Sequence, residues 1–383
     1  MKTESLDKRN TRVMVGLSGG VDSAVAALLL CRQGYRVEAV FMKNWDEDDA
    51  EAYCPAAEDL SDAQGVADLL SIPLHRISFA SEYWDHVFET FLAEYQAGRT
   101  PNPDVLCNKE IKFRAFLDYA LGRGADFIAT GHYARLQRDP KAVHLLKGKD
   151  PDKDQSYFLY LLDQSQLARS LFPLGDLDKA TVRRMAADAG LPNHAKKDST
   201  GICFIGERRF STFLSRYFPA QPGEIRSTAG KRLGTHSGLM FHTIGQRQGL
   251  RIGGRNDSTG EPWYVIEKNL ADNILVVAQG KHHPRLFSSA LVARDLHWVC
   301  GSPPRAPADY RARIRYRQTE QLCRVSPLPH NRWQVSFAQP QRAITPGQAI
   351  VFYQADECLG GATIEHACER QAQQTAGLAR INS

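Results

Sequence analysis

The eight cysteines of this chain, at positions 31, 54, 107, 203, 300, 323, 358 and 368, include no C-x-x-C pair or other short paired spacing. That absence excludes the usual zinc frameworks and counts against a thiolate-held iron–sulfur cluster. No metal-ligand set is read from the sequence. No run of eighteen apolar residues occurs, and the first ten residues, MKTESLDKRN, hold no apolar h-region. Neither a membrane span nor a secretory leader is expected, and the expected address is cytoplasmic. Thiols stay reduced there, so a disulfide in this chain is expected to be transient and catalytic. No G-x-x-x-x-G-K-[ST] string is present, which removes Walker-type γ-phosphate transfer as the obvious chemistry. Internal repeats and low-complexity tracts are missing too, and residues 286–383 contain no lysine.

What is present is an ordinary globular composition, 43% hydrophobic and 24% charged, in a chain of 383 residues. That length exceeds what one hydrophobic core usually organises, so two or three domains are expected. The net charge of +5 is unevenly placed: 28 basic against 31 acidic residues in 1–218, 9 against 5 in 219–285, and 11 against 7 in 286–383. All eleven basic residues of the last segment are arginine, which grips phosphate in a bidentate way that lysine cannot. A polyanionic partner and a plain solvated basic surface both fit that pattern.

The apolar runs VMVGL (13–17), VEAVFM (37–42), IPLHRISF (72–79) and ADFIATG (125–131) recur at helix-length intervals, with AVAALLL (24–30) reading as the first helix. Such alternation predicts an α/β, doubly wound parallel sheet. Trp84, Phe88, Phe91, Leu92 and Tyr95 repeat at helical spacing, as do Phe113, Phe116, Leu117 and Ala120; both stripes are expected in the core. After about residue 212 the alternation stops, and FPAQPGEI (218–225) carries boundary-type prolines and a glycine. From 286 onward RARIRYR (311–317), RWQVSF (332–337) and QAIVFY (348–353) read as short alternating strands, predicting a small β-barrel or sandwich. The chain is accordingly divided into an ATP-binding and catalytic domain (1–212), a small central domain (213–285) and a C-terminal β-barrel (286–383).

Gly16, Leu17, Ser18, Gly19, Gly20, Val21, Asp22 and Ser23 stand where a buried strand ends and a helix begins. Glycines let backbone N–H groups approach an anion, the serines add hydroxyl donors, and the helix points its positive end at the same place. The S-G-G-x-D-S arrangement resembles the PP-loop of ATP pyrophosphatases, the adenine nucleotide alpha hydrolase-like fold. That resemblance implies that the loop holds the leaving pyrophosphate of ATP while an acceptor oxygen attacks the α-phosphorus, with Asp22 helping to hold Mg2+. Met42, at the end of the second strand, fits packing against adenine and a core role about equally.

Cys107 follows the two prolines of Gly98-Arg-Thr-Pro-Asn-Pro-Asp-Val-Leu-Cys107 and opens the helix striped by Phe113 and Phe116. A helix N-terminus with Lys109 and Lys112 nearby favours a thiolate; Asp104 opposes it electrostatically but is placed to exchange a proton with an acceptor base. The alternative is a buried small hydrophobe. Cys203 lies in a glycine-flanked segment, KKDSTGICFIG (196–206), and two such thiols can pass one sulfur, one holding it as a persulfide and the other resolving the bond.

The strings GLSGGVDS, FMKNWDEDD, GRTPNPDVLCNKEIKF, ATGHYAR, KDQSYFLY, DSTGICFIGERRF, HTIGQRQGL, GGRN with EPWYV, and RYRQT together resemble the tRNA-specific 2-thiouridylase family along nearly the whole chain. The resemblance implies that ATP adenylates the C2 oxygen of the wobble uridine in tRNAs for lysine, glutamate and glutamine, and that sulfur then displaces AMP. It matches the persulfide-bearing cysteine to Cys203, the nucleophile to Cys107 and the acid/base residue to Asp104, with Asn102, Pro103 and Asp104 lining the target base. Gly131 joins the nucleotide-binding set, and His132, Lys153, Asp154, Gln155, Arg315, Tyr316 and Gln348 fall on tRNA-contacting positions. The implied partners are tRNA and a sulfur-relay carrier protein fed by a cysteine desulfurase, acting on a monomer, with a transient disulfide between Cys107 and Cys203.

Regular alternation in RARIRYR would set Arg311, Arg313, Arg315 and Arg317 on one strand face, a repulsion that a polyanion relieves more readily than a solvated edge does. Arg315 and Tyr316 would then point to opposite faces, so a bulge or bend is expected there. Asp46 to Asp49 read as a solvated acidic loop. PP-loop amidation of a small molecule leaves the two cysteines and the arginine-rich barrel without a role. A non-catalytic RNA-binding protein leaves the SGGVDS loop idle.

Overall fold

A computed structural model describes residues 7–45, 55–198, 210–252, 260–303 and 309–368. Cys203 and the acidic cluster Asp46 to Asp49 lie outside the described residues. The first seven strands are β1 (Arg12–Gly16), β2 (Arg36–Lys43), β3 (Leu74–Ser78), β4 (Phe127–Ala129), β5 (Ala134–Arg138), β6 (Val143–Lys147) and β7 (Ser170–Leu171). Five of them form a parallel sheet in the order β3-β2-β1-β4-β7. Strand side chains alternate between faces. Val13 and Val15 of β1 pack into one core with helix α1 (Val21–Arg32), while Met14 enters a second core on the opposite face. Both faces are covered, as the continuous apolar runs require. α1 is nearly all alanine, valine and leucine on its buried residues, which lets it sit close to the sheet.

Helix 80–96 contains a π turn, Trp84–Phe88, that carries an extra residue per turn and shifts the phase of the apolar stripe. Tyr83 is buried in consequence, whereas Trp84, expected in the core, is 40% exposed and stacks on Trp45 at 5.7 Å. Phe88, Phe91 and Tyr95 of that stripe are buried, and so are Phe113, Phe116, Leu117 and Ala120 of the second.

Strands β8 (Gly223–Ser227), β9 (Arg232–His236), β10 (Trp263–Asn269) and β11 (Ile274–Gln279) make a central sheet ordered β10-β11-β8-β9. It has its own small core of Ile225, Leu233, Val265, Leu275 and Val277. Strands β12 (Phe287–Trp298), β13 (Asp309–Arg313), β14 (Gln321–Leu328), β15 (Arg332–Arg342), β16 (Ala349–Gln354) and β17 (Glu357–Ala367) are antiparallel, and β12 pairs with both β15 and β17 to close a six-strand barrel.

The barrel is not a separate body. Ile350 and Phe352 of β16 fill its interior, while Val351 and Tyr353 point outward into the core that holds Phe113 and Tyr157 of the first domain. The β5–β6 hairpin, which belongs to the first domain by sequence, adds its β6 edge to β17 through the pair Leu146 and Glu357. Among the described residues no helix is long and apolar enough to cross a membrane.

Candidate active site

The loop Gly16 to Ser23 connects β1 to α1 at the carboxyl end of the sheet, where open α/β sheets bind ligands. Gly20 caps α1 without any side-chain hydrogen bond, so the first-turn N–H groups of the helix are left to a ligand. Ser23 Oγ donates to the Gly20 carbonyl at 3.0 Å and accepts from the Ser18 N–H at 3.1 Å, which closes the loop on itself. Gly19 has φ +77°, and a Cβ there would stand 2.4 Å from the Asp59 carbonyl oxygen, so only glycine fits. A Cβ on Gly131 would stand 2.8 Å from both Asp22 C and Ser23 N; the end of β4 is pressed against the loop backbone. Leu17 and Val21 are buried beneath the loop. A Cβ on Gly16 would lie 3.0 Å from Met42 Cε and 3.5 Å from Phe116 Cε1. Met42 is half-buried at the rim of that core.

Asp22 anchors a charged network that motif reading missed. Its carboxylate accepts from Lys179 Nζ at 2.7 and 2.8 Å and from the Tyr133 hydroxyl at 2.8 Å. Burial first, and the Asp22 charge second, push the Tyr133 phenol far up, so it stays a donor. Lys179 also pairs with Asp198 at 2.8 Å, and Asp198 gathers Lys153 and Arg183 at 2.7 Å each. Desolvation raises the Asp198 carboxyl, but hydrogen bonds from Lys153 and Lys179 outweigh it and hold its pKa at about 2. Asn193 donates to the Gly19 carbonyl at 2.8 Å. Tyr133 and Asp198 sit inside the quoted strings ATGHYAR and DSTGICFIGERRF. Lys179 and Asn193 sit in none, although a lysine in the first turn of a helix capped by Asp178 opposes the helix dipole and was a readable signal.

Asn102 caps the short helix Pro103–Leu106, accepting from the Asp104 N–H at 3.2 Å with Pro103 at N1. The helix runs on through a π segment, Cys107–Ala115, to Gly122. Cys107 follows the first turn, Pro103–Leu106, and is 1% exposed, so it lies inside the core and not at the expected helix N-terminus. Asp104 is raised above the ordinary carboxylate range by burial, partly offset by Lys112. His132 is buried against Phe113 and Phe172, with Nδ1 2.8 Å from Thr130 Oγ1. Burial, then Lys112, pushes it well below 6.5, so the ring is neutral.

The barrel and the central domain both grip the chain just before Asn102. Gln348 of the barrel donates to the Thr100 carbonyl at 2.7 Å, the Thr100 N–H donates to the Pro346 carbonyl at 2.9 Å, and Thr100 Oγ1 lies 3.3 Å from Thr243 Oγ1. Lys268 of the central sheet donates to the Gly98 carbonyl at 3.0 Å. Burial lowers Lys268 to about 8. A depressed lysine destabilises the fold while charged, so stability rises with pH from about 8 up to the unfolded value near 10.5. Lys268→Met is expected to raise the neutral-pH melting temperature by a few degrees, roughly 1 kcal/mol or more, and to flatten the rise above pH 8 in a melting series.

The remaining residues singled out by sequence fall into two groups. Lys153 is half-exposed in the Asp198 network, and Gln155 accepts from the Tyr133 N–H at 2.9 Å. Asp154, in contrast, is 2% exposed and pairs with Arg313 at 2.9 Å; Arg313 also pairs with Glu320, which holds Lys147 at 2.5 Å. The expected arginine stripe is therefore corrected. Strand β13 ends at Arg313, whose charge is met by carboxylates, and the chain bends through Ile314 to Arg317, with φ +63° at Arg317. The expected bend is there, and it lets Arg315 donate to the Ala343 carbonyl at 2.6 Å while Tyr316 packs on Phe158 at 4.6 Å. Asp154→Ala would strip Arg313 of its most buried partner. It is expected to cost about 3 kcal/mol, read as a lowered melting temperature in a chain otherwise intact.

A strand–loop–helix anion site at the head of a parallel sheet, followed by a central β domain and a closed barrel, defines a PP-loop nucleotide-binding enzyme of the HUP class. Residues 11–207 match the family described as tRNA methyl transferase HUP domain, 211–279 its PRC-barrel domain, and 288–364 the aminomethyltransferase beta-barrel domain. A tRNA-specific 2-thiouridylase MnmA of Methylococcus capsulatus is 61% identical over 92% of this chain and 96% of its own length. Proteins of the same name from Pseudomonas putida strain W619 and Legionella pneumophila strain Lens are 60% and 58% identical, covering 94% and 92% of this chain and 96% and 98% of their own. The chain belongs to the tRNA-specific 2-thiouridylase MnmA family, whose members are tRNA sulfurtransferases.

Proposed function

We propose that this chain converts the wobble uridine of tRNAs for lysine, glutamate and glutamine to 2-thiouridine in the cytoplasm, working as a monomer with ATP and a protein-borne persulfide. The observation that carries the reading is the seat of the Cys107 helix on the SGGVDS loop, Phe116 lying beside Gly16. It puts a buried thiol and a raised carboxyl on the helix that walls the anion site. The uridine O2 attacks the α-phosphorus of ATP, pyrophosphate leaves into the N–H cradle of Gly16 to Ser23, and the base is left as an adenylate. Asp22, one-third exposed and backed by Lys179, would hold magnesium, which would offset phosphate charge. Asp104, protonated over a wider pH range than an ordinary carboxyl, exchanges the proton at the base, while Asn102 and Pro103 line it.

A carrier fed by a cysteine desulfurase loads Cys203 as a persulfide. The terminal sulfur attacks C2 and AMP leaves. Attack of the Cys107 thiolate on Cys203 Sγ breaks the persulfide bond and leaves a disulfide that a cellular thiol must reduce. Residues 213–285 and 286–383 contribute the tRNA surface, with Lys153, Gln155, His132, Asp154, Arg315, Tyr316 and Gln348 as the proposed contacts; for Asp154 and Gln348 the support is for holding the contact loops in place. Mass spectrometry of tRNA from a strain lacking this gene tests the reading. Loss of 2-thiouridine, restored by this chain and accompanied by tRNA-dependent AMP release in vitro, is the expected result; unchanged 2-thiouridine would refute it.

A further inference from the structure

Outside the nucleotide loop, three chain segments meet at the seam between the first domain and the barrel. His144 stands on β6, Glu357 opens β17, and Cys300 follows β12. One ligand atom from each lies within 4.8 Å of the others. His144 Nδ1 is 2.6 Å from Glu357 Oε1, and its Nε2 is 2.9 Å from Asp139 Oδ2. Two carboxylates and a thiol thus face one imidazole, and among the described residues neither carboxylate pairs with a lysine or arginine.

We propose that His144, Cys300 and Glu357 form a zinc-type divalent cation site that braces the β5–β6 hairpin against the barrel. One nitrogen, one sulfur and one oxygen donor match the ligand preferences of zinc, and three protein ligands leave a fourth position for water. Asp139 accepts a hydrogen bond from Nε2–H, which leaves the Nδ1 lone pair for the metal; a carboxylate behind a ligating imidazole is the usual supporting arrangement. Tetrahedral donors around zinc stand about 3.3–3.8 Å apart, so Glu357 must open from Nδ1 by under an ångström while the thiol closes in. Binding releases the thiol proton and the Nδ1 proton to solvent, and affinity therefore rises with pH. The competing state is a proton on the imidazole, favoured by hydrogen bonds to Glu357 first and Asp139 second; that state leaves the thiol without a role. The site does not depend on the thiolation reading.

The test is a cobalt titration of the full-length, chelator-stripped chain. One equivalent of cobalt is expected to produce a thiolate-to-cobalt absorption band that zinc abolishes by competition. Cys300→Ser should remove the band and weaken binding at least about tenfold, and Asp139→Asn should weaken zinc binding by roughly tenfold to a hundredfold. The band should persist in the Cys107→Ser and Cys203→Ser chains. Zinc should raise the melting temperature of the parent chain clearly more than that of Cys300→Ser at the same zinc concentration; should that variant misfold, Glu357→Gln serves the same comparison. No thiolate band, a band that survives Cys300→Ser, or one lost with Cys107 or Cys203 would each overturn the proposal.

Discussion

Cys107→Ser is expected to abolish 2-thiouridine formation, lowering it at least about a thousandfold, while tRNA-dependent AMP release stays within about tenfold of the parent. The separation follows from the order of the chemistry. On the proposed order the adenylate forms from ATP and the uridine oxygen, a step in which the thiol has no part, and when AMP release is measured without a sulfur donor water takes the activated carbon. Serine is nearly isosteric in a site that is 1% exposed, so the cost falls on reactivity more than on packing. The measurement is paired: nucleoside mass spectrometry for thiolation and labelled ATP for AMP. Cys203→Ser should match it in product and differ in one respect, that no persulfide accumulates on the chain when a sulfur donor is supplied. Normal thiolation by either variant with a physiological persulfide donor would sink the relay.

The second large effect is expected at Gly131→Ala, where no reacting group is touched. The added methyl would sit 2.8 Å from two backbone atoms of the Asp22–Ser23 link. Backbone cannot yield as a side-chain tip can, so the end of β4 and the loop must part by several tenths of an ångström, at a stability cost of roughly 1–3 kcal/mol. The loop N–H groups then miss the departing pyrophosphate, and displacement on that scale costs about a hundredfold in rate. Adenylation should fall that far in kcat/KM for ATP while tRNA affinity, measured without nucleotide, is unchanged. An unaffected kcat/KM would mean that the loop does not hold the phosphates.

The sequence announces β1 to β4 and α1 because a strand between two covered faces must be continuously apolar and the helix intervals between them are regular. Barrel strand β15 is legible from period-two alternation, whereas β16, expected to alternate, is a continuous apolar run because both of its faces are covered. What escapes is whatever depends on a distant partner. In Lys153-Asp-Gln155, three polar letters give no hint that Asp154 is buried, because its counter-charge is Arg313 on β13. Regular alternation in RARIRYR fails after Arg313 because Arg315 finds the Ala343 carbonyl instead of continuing the strand. The swap of Tyr83 for Trp84 comes from a π turn that shifts the helical phase without any Gly or Pro to signal it. Cys107 and Asp104 are visible from their motif, whereas the grip of Gln348 on Thr100 joins residues that only folding brings together.

The β5–β6 hairpin gives the chain a single fate. Its β6 edge is covered by β17, and Val351 and Tyr353 lie in the same core as Phe113. A ribosome that has released the first 285 residues has therefore made a bare strand edge and an uncovered apolar wall, the features that recruit chaperones and proteases. The barrel thus acts as a completeness check on synthesis. An incomplete copy keeps that edge and that wall open until the barrel strands arrive.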